Sequence, residues 1–430
     1  MSSPKDRSNP RPTHSRSPSP HRRLAATLLA LLACASCNTQ IDYPPGTPWA
    51  DPTQYPTIGN GKVIIFNGGD DTLTWIDVDT LAPVFSETVG LSPLEVEAPH
   101  DGTASPDGSA FFVSFSSPAP GSASGPHGSH GSGNADGYLL EYDMQTHALI
   151  GKIELAHNAA EVTTTADWHI LVSHFDLLLI ESQLLTNPSA TYDDLSSTVA
   201  IIDPAAMSPT DPSAGLVKSL KVCPAEHGII SSQDGQTAYV TCFASDELAL
   251  ISLAPPYDIQ RYPMGTGAFF PASPLVGPFV LEQSPSDGTI WVSTWGPNGA
   301  NRGDIRVFDP ATKTWDSRGP IQTDGVPFDG AFTADGAQYI VSNQLANSMV
   351  FIDTATHAIT NLLTLSPAQC ANPRVPVLMP DGLHVLVVCE GDHFSPGTVA
   401  VIRIGATPVV ETFYAVGVYP GEAYLVAKAP

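Results

Sequence analysis

A short unit of strands and turns recurs seven times along this chain, and no other feature constrains its fold as strongly. The clearest copy runs from Ala331 to Ser366. It reads as a reversal at Asp335-Gly336, an apolar strand, a short loop, the strand SMVFIDTAT at 348–356, and one more short strand. That strand returns as TLTWIDVDT at 72–80, YLLEYDMQT at 138–146, STVAIIDPA at 197–205, ELALISLAP at 247–255, DIRVFDPAT at 304–312 and TVAVIRIGA at 398–406. The copies start 44 to 66 residues apart. Apolar residues at period two, with clustered β-branched side chains, mean strands. Upstream of most copies lies a turn: SPDG at 105–108, SQDG at 232–235, PSDG at 285–288, TADG at 333–336 and MPDG at 379–382. Asp bonds its own backbone and Gly accepts positive φ, so the pair suits a tight reversal. Asn60-Gly61 fills that place before the first copy, and Asp167-Trp168 stands there in the third.

A repeat of this length made only of short strands predicts an all-β fold, a seven-bladed β-propeller of four-stranded antiparallel blades. The predicted domain is 59–430. Within a blade the strands A to D run outward from the axis. The A–B turns then share one face, the bottom, and the B–C and D–A loops share the other, the top. Blade one begins with its B strand, KVIIFN at 62–67, because the prolines of DPTQYPTI disfavour a central strand before it. The tail GEAYLVAK at 421–428 is therefore expected to supply the innermost strand of blade one, closing the ring and removing free edges.

Residues 1–33 read as an export signal. A basic stretch carries Lys5, Arg7, Arg11, Arg16, Arg22 and Arg23, and an apolar run of ten residues, 24–33, follows. It ends at Leu31-Leu32-Ala33-Cys34, which resembles a bacterial lipobox and makes Cys34 the expected lipidated residue, with Cys37 as the alternative. Residues 34–58 form a Pro-rich tether. The expected location is a membrane-anchored lipoprotein, periplasmic or at the cell surface. Outside the signal the net charge is −30, which leaves no basic patch for nucleic acid or anionic lipid. The lipid is the only expected membrane contact, and a monomer is expected. The acidity itself reads as a solvated shell.

Cys223 and Cys242 are 19 apart, as are Cys370 and Cys389, and both pairs straddle a turn at equal offsets. In an exported chain this predicts two disulfides, 223–242 and 370–389, on facing positions of A–B hairpins.

Counting back eight from each turn Gly reaches the top of each A strand: His100, His227, Val280, Phe328 and Arg374. Asp101, Glu226 and Asp329 are neighbours, and blade three offers His157 and Glu161. These top-face residues are candidates for binding a ligand, for holding a metal through imidazole and carboxylate, or for acid–base work. The plainer reading, and the one favoured for the set, is that they are polar residues lining a wet channel and hydrogen-bonding loop backbone. No His-x-x-His or His-Glu-x-x-His spacing marks a metal, so no cofactor is predicted from spacing. His174 and His393 lie on the same face in B–C loops. Two long B–C loops also lie there, 117–137 with His127 and His130, and 175–196 with helical character. Trp291, Trp295 and Trp315 could stack a sugar, with Trp291 also fitting the core. No phosphate-binding Gly loop or G-x-S-x-G elbow occurs.

The strand AYVTC at 238–242, the x-Asp-Gly turn and VFIDTAT at 350–356 together resemble the YVTN-type propellers within the lactonase-like and surface-antigen-like group, over about residues 60–428. The resemblance implies a seven-bladed ring. It carries no catalytic residue over to this chain. The leading expectation is an exported module that binds a small molecule or an envelope protein through its top face. The alternative is an enzyme, a lactonase-like hydrolase or a metal-dependent activity using the top-face His, Asp and Glu residues.

Overall fold

The computed structural model describes residues 58–92, 96–116, 135–264, 276–296 and 302–427. It contains seven antiparallel sheets in one ring, six of four strands and one of five. The seven recurrent strands are the third strands of the seven blades, from Thr72–Asp77 in blade one to Pro396–Arg403 in blade seven. In blade five the outer strand is broken into Thr314–Trp315 and Ile321–Gln322. The ring closes as expected. Pro420–Ala427 is the inner strand of blade one and pairs antiparallel with Gly61–Asn67, Leu425 opposite Val63 and Tyr424 opposite Ile64.

The recurrent Asp-x-x-Thr has a local cause. Asp77, Asp143, Asp309 and Asp353 each accept hydrogen bonds from the Thr three residues on, through its hydroxyl and its amide. The residue after that Thr then turns left-handed: Leu81, His147, Lys313 and His357 have φ between 53° and 60°. The A–B turns are as uniform. Gly108, Gly235, Gly336 and Gly382 have φ between 65° and 69°, and Trp168 takes the same place at φ 63°. Blade three thus keeps the turn with a residue that has a Cβ, packing the indole edge-on to Phe112.

Each second strand carries a Val or Ile followed by a key residue. In blades two, three, four and six this residue is Ser114, Ser173, Thr241 and Ser342. Their hydroxyls donate to the next blade's inner-strand carbonyls, those of Ala160, His227, Phe279 and Arg374. The Val-Ser or Val-Thr of the repeat therefore joins one blade to the next. Buried apolar side chains between neighbouring sheets supply the bulk of the stabilisation, with Trp75, Trp291, Phe66, Phe111 and Phe308 among the largest fully buried.

The disulfides Cys223–Cys242 and Cys370–Cys389 form, with Cα separations of 5.7 and 5.0 Å. Their placement differs from the expected facing pair. Cys242 is in register with Glu226, and Cys389 with Pro373. The first cysteine of each pair lies three residues earlier, in the loop entering the inner strand, where the left-handed residues Ala225 and Asn372 bend the chain back. Each bridge therefore ties a D–A loop to the end of a B strand. Among the described residues no helix is long and apolar enough to cross a membrane. The residues carrying Cys34, Cys37, the tether and the His127–His130 loop lie outside the described residues.

Candidate functional site

Every inner strand breaks register at the same place. After its first paired residue two residues bulge, and pairing then resumes, at Pro99/Gly102, Ala159/Val162, Glu226/Ile229, Pro278/Leu281, Pro327/Gly330, Pro373/Pro376 and, across the seam, Pro420/Ala423. A bulge leaves a residue unpaired and re-aims side chains. The bulged residues make two rows around the axis near the top. The first is His100, Ala160, His227, Phe279, Phe328, Arg374 and Gly421. The second is Asp101, Glu161, Gly228, Val280, Asp329, Val375 and Glu422.

The sequence expectation for blade five is corrected here. Phe279, not Val280, matches His227 and Arg374, because Gly288 sits one place later in a turn of unchanged length. Ser284 N bonds Thr289 O there as Ser232 N bonds Thr237 O in blade four, but Gly288 is four residues past Ser284 and Gly235 is three past Ser232. Blade four has Gly228 in the second row. A Cβ there would stand 2.7 Å from the Phe279 carbonyl, so no carboxylate fits.

One side of the rows is aromatic. The His227 ring stacks on Phe279 at 3.7 Å between centroids, and Trp295 lies over the Phe279 ring at 4.8 Å. Phe175 meets His227 edge-on at 5.1 Å. Helix α1, Leu177–Thr186, is capped by the Asp176 side chain, which accepts from Leu179 N. Ile180, Leu177 and Leu184 of this helix belong to the same apolar cluster as Phe175, Phe243 and Trp295. The top mouth is therefore packed on the side of blades three to five.

The other side is charged. Arg374, 1% exposed, donates through Nε and Nη2 to Glu422 Oε1 at 3.1 and 3.0 Å, and through Nη1 to Glu390 Oε1 at 3.2 Å. Its guanidinium also lies 4.7 Å from the Phe328 ring centre. Glu390 accepts from Gln344 Nε2 at 2.7 Å and stands 3.2 Å from His393 Nε2, and the His393 ring stacks on Tyr419. His227 Nδ1 lies 3.0 Å from Glu161 Oε1, and Glu161 Oε2 accepts from Ile229 N. Asp101 Oδ2 accepts from Val162 N at 2.7 Å, and Asp329 Oδ1 from Gly330 N at 2.7 Å.

Five carboxyls from blades one, two, three, five and six act on one another. Burial pushes Glu161, Glu282 and Glu422 up to about 8, with the Glu161 charge adding to the rise at Glu282 and Glu422. Asp101 and Asp329 are raised well above the carboxylate range, first by burial and then by the neighbouring acids. Burial, helped by Arg374, holds the His227 imidazole neutral. Withdrawal from water disfavours the charged form of each group, and like charges reinforce this for the acids. Around neutral pH the wall therefore carries protonated carboxyls and a neutral imidazole. Below the rows a cavity of about 350 Å³ is walled by blades five, six, seven and one, with Glu282 and Asp329 among apolar residues such as Val377, Leu378 and Ala331.

Of the predicted residues, His100, Asp101, Glu161, His227, Phe328, Asp329 and Arg374 come together in the two rows. Two do not. His157 ends the outer strand of blade two, half exposed, with Asp136 at 3.3 Å and Asp176 at 4.0 Å. Glu226 is fully buried beside the Ser197 side chain and the Cys223 backbone, and burial raises its carboxyl. His174 is buried with Nδ1 on the Thr198 carbonyl, and burial lowers it to about 4. The residues missed were Glu282, Glu390, Glu422 and Phe279. Glu422 follows from the seam strand once that strand is aligned with the other six. Among the described residues no three His, Cys, Asp or Glu side chains are arranged to hold a metal ion.

No protein-family model matches the chain, and no curated protein matches it by sequence. Solved structures do. A putative 6-phosphogluconolactonase from Bacteroides uniformis superposes with a TM-score of 0.59 at 14% identity, covering 85% of this chain and 100% of that one. The periplasmic gluconolactonase of Pseudomonas aeruginosa gives 0.55 at 18% identity, over 85% and 99%. A putative 6-phosphogluconolactonase from Bacteroides fragilis gives 0.56 at 15% identity, over 86% and 99%. At such identities the likeness is one of architecture: the chain is a seven-bladed β-propeller that shares its fold with these lactonase-like proteins.

Proposed function

We propose that this is an exported protein, held at an envelope membrane through a lipidated Cys34, whose axial channel binds a small, neutral, hydroxyl-rich molecule. One observation carries the ligand class. Five carboxyls that act on one another stand together around the axis, and among the described residues Arg374 is the one guanidinium beside them, already held by Glu390 and Glu422. An anionic ligand would meet acids with no free cation. A polyol or sugar can both donate to and accept from protonated carboxyls, and the half-buried Trp295 beside the Phe279 ring offers an aromatic face.

A second reading, hydrolysis of a neutral lactone, is favoured by a neutral His227 imidazole standing beside a Glu161 that holds its proton, which puts a base and an acid in one place. Three of the structural neighbours, a gluconolactonase and two putative 6-phosphogluconolactonases, are in line with it. Phosphorylated lactones do not suit the acidic wall.

Calorimetric titration with gluconolactone, sorbitol and 6-phosphogluconolactone tests the ligand class, and pH-stat measurement of lactone opening separates binding from catalysis. The neutral probes should bind, more weakly in Asp329→Asn, and the phosphorylated one should not. Tighter binding of the phosphorylated probe would overturn the reading. The anchor is tested separately: Cys34→Ala should release the protein from membranes, and release by Cys37→Ala alone would move the anchor.

A further inference from the structure

The outer strands of the seven blades differ in how their free edges are protected. An outer strand presents unpaired N–H and C=O groups that recruit another strand unless charge, proline or cover prevents it. Blade one has Pro83 and Glu87 in its outer strand. Blade two's is covered by the next blade, whose Ser208 and Pro212 carbonyls accept from Lys152 N and Glu154 N. Blade three carries Lys218 and Lys221, blade four Arg261 and Pro263, and blade seven Glu411. Blade five's outer strand is split into two-residue pieces. Blade six has none of these devices. Its outer strand, Ile359–Thr364, reads ITNLLT, without charge or proline, and leaves Ile359 and Leu362 45% and 63% exposed. Beside it a groove of about 600 Å³ runs from Thr364 and Leu365 to Val410 and Phe413 of blade seven. Glu411 lines that groove but is held by Arg403 at 3.0 Å.

We propose that Ile359–Thr364 is a docking edge for an extended, uncharged segment of a partner protein with basic flanks, which adds to blade six as a fifth strand. The backbone row selects a strand rather than a helix or a small molecule, and the groove receives its side chains. Charge selects the flanks. The chain carries −25, so a second copy would repel it while lysines or arginines beside the pairing segment would be attracted. The chain's own tether is unsuited, because five prolines between positions 44 and 56 remove the amide donors that pairing needs.

The probe is a peptide of alternating Val and Thr with lysines at both ends, added to the purified full-length protein. Fluorescence anisotropy reads affinity, and amide hydrogen exchange reads the place. Binding should protect 359–364. It should weaken at least tenfold in Leu362→Lys, or in Ile359→Lys should the first variant melt abnormally. It should be unchanged in Leu216→Lys, on the blade-three edge that already bears lysines. No binding, or protection of another strand, would overturn the proposal. So would a concentration-dependent dimer that Leu362→Lys abolishes, because the occupant would then be a second copy.

Discussion

Where blade four meets blade five, Thr241 donates to the Phe279 carbonyl at 2.6 Å and His227 stacks on the Phe279 ring. Where blade seven meets blade one, the residue corresponding to Thr241 is Val388, which has no hydroxyl to donate. Arg374 instead reaches over to Glu422 of the closing strand while holding Glu390 within its own blade. The contrast follows from chain connectivity. Blades two to six are laid down by consecutive sequence, so neutral hydroxyl links and aromatic packing suffice to set their spacing. At the seam the last strand of the chain is held against the first by the backbone ladder of Pro420–Ala427 with Gly61–Asn67, and Arg374 ties that closing strand to blade seven through Glu422, in the candidate site. Ring closure and the polar half of the channel therefore use the same residues.

Removing the seam strand should have the largest effect. A chain lacking Pro420–Pro430 loses the inner strand of blade one together with Glu422, and exposes edges on both sides of the gap. It should aggregate on expression, and a truncated protein that melts like the parent would mean that the ring closes without this strand.

Next comes the arginine. Arg374→Met leaves Glu390 in the interior without its cation and takes two hydrogen-bond donors from Glu422, which should cost about 3–5 kcal/mol in urea unfolding. The matching change on the other side, Thr241→Val, removes a neutral link and should cost about 1–3 kcal/mol. Equal losses would mean that the two halves are held in the same way. The disulfides sample both sides, 223–242 in blade four and 370–389 in blade seven. Replacing either pair by alanines should cost about 2–5 kcal/mol.

Titration sharpens the account further, because the buried carboxyls of the wall and the aspartates of the surface turns respond to pH in opposite senses. Glu161, Glu282 and Glu422 are raised to about 8 in the fold, against ordinary carboxyl values in the unfolded chain. Between about pH 4.5 and 8 the native state therefore binds more protons than the unfolded state, so stability falls as pH rises through that window. The surface turns act oppositely. Asp77, Asp107 and Asp316 are lowered to about 2 by hydrogen bonds from neighbouring side chains, so their contribution is present above pH 4 and is lost in stronger acid. Stability should peak near pH 5. Glu161→Gln with Glu282→Gln should flatten the fall above the peak while leaving the acid limb unchanged. The smallest of these effects is expected from Phe328→Leu, which keeps the apolar contact but removes the ring under the guanidinium, at about 1 kcal/mol.

Much of the fold was legible because it repeats. Seven third strands, the Asp-Gly turns and two cysteine pairs at equal offsets are redundant signals, and one weak copy, such as Asp167-Trp168, is outvoted by the others. The site was legible only where it followed the turn count. Phe279 was missed because Gly288 shifted by one place within an unchanged turn. Glu422 has no Asp-Gly turn after it, since its hairpin partner lies at the other end of the chain. Glu390 enters from a B–C loop of irregular length. The left-handed residues that precede six of the inner strands are Ala98, Asn158, Ala225, Gly277, Asn372 and Tyr419, types with too little in common to announce a shared backbone angle. The Val-Thr of AYVTC lies in a strand that carries the resemblance, but the part its hydroxyl plays appears only when the next blade is in place.

The most direct test of the charged half of the wall is infrared absorption of protonated carboxyl groups at pH 7, on the parent protein and on Glu161→Gln, Glu282→Gln and Glu422→Gln. The parent should show a carboxylic acid band that survives to about pH 8 and shrinks stepwise with each substitution. A spectrum with no acid band at pH 7, unchanged by the three substitutions, would mean that these carboxyls are ionised and that the channel is a site for cations.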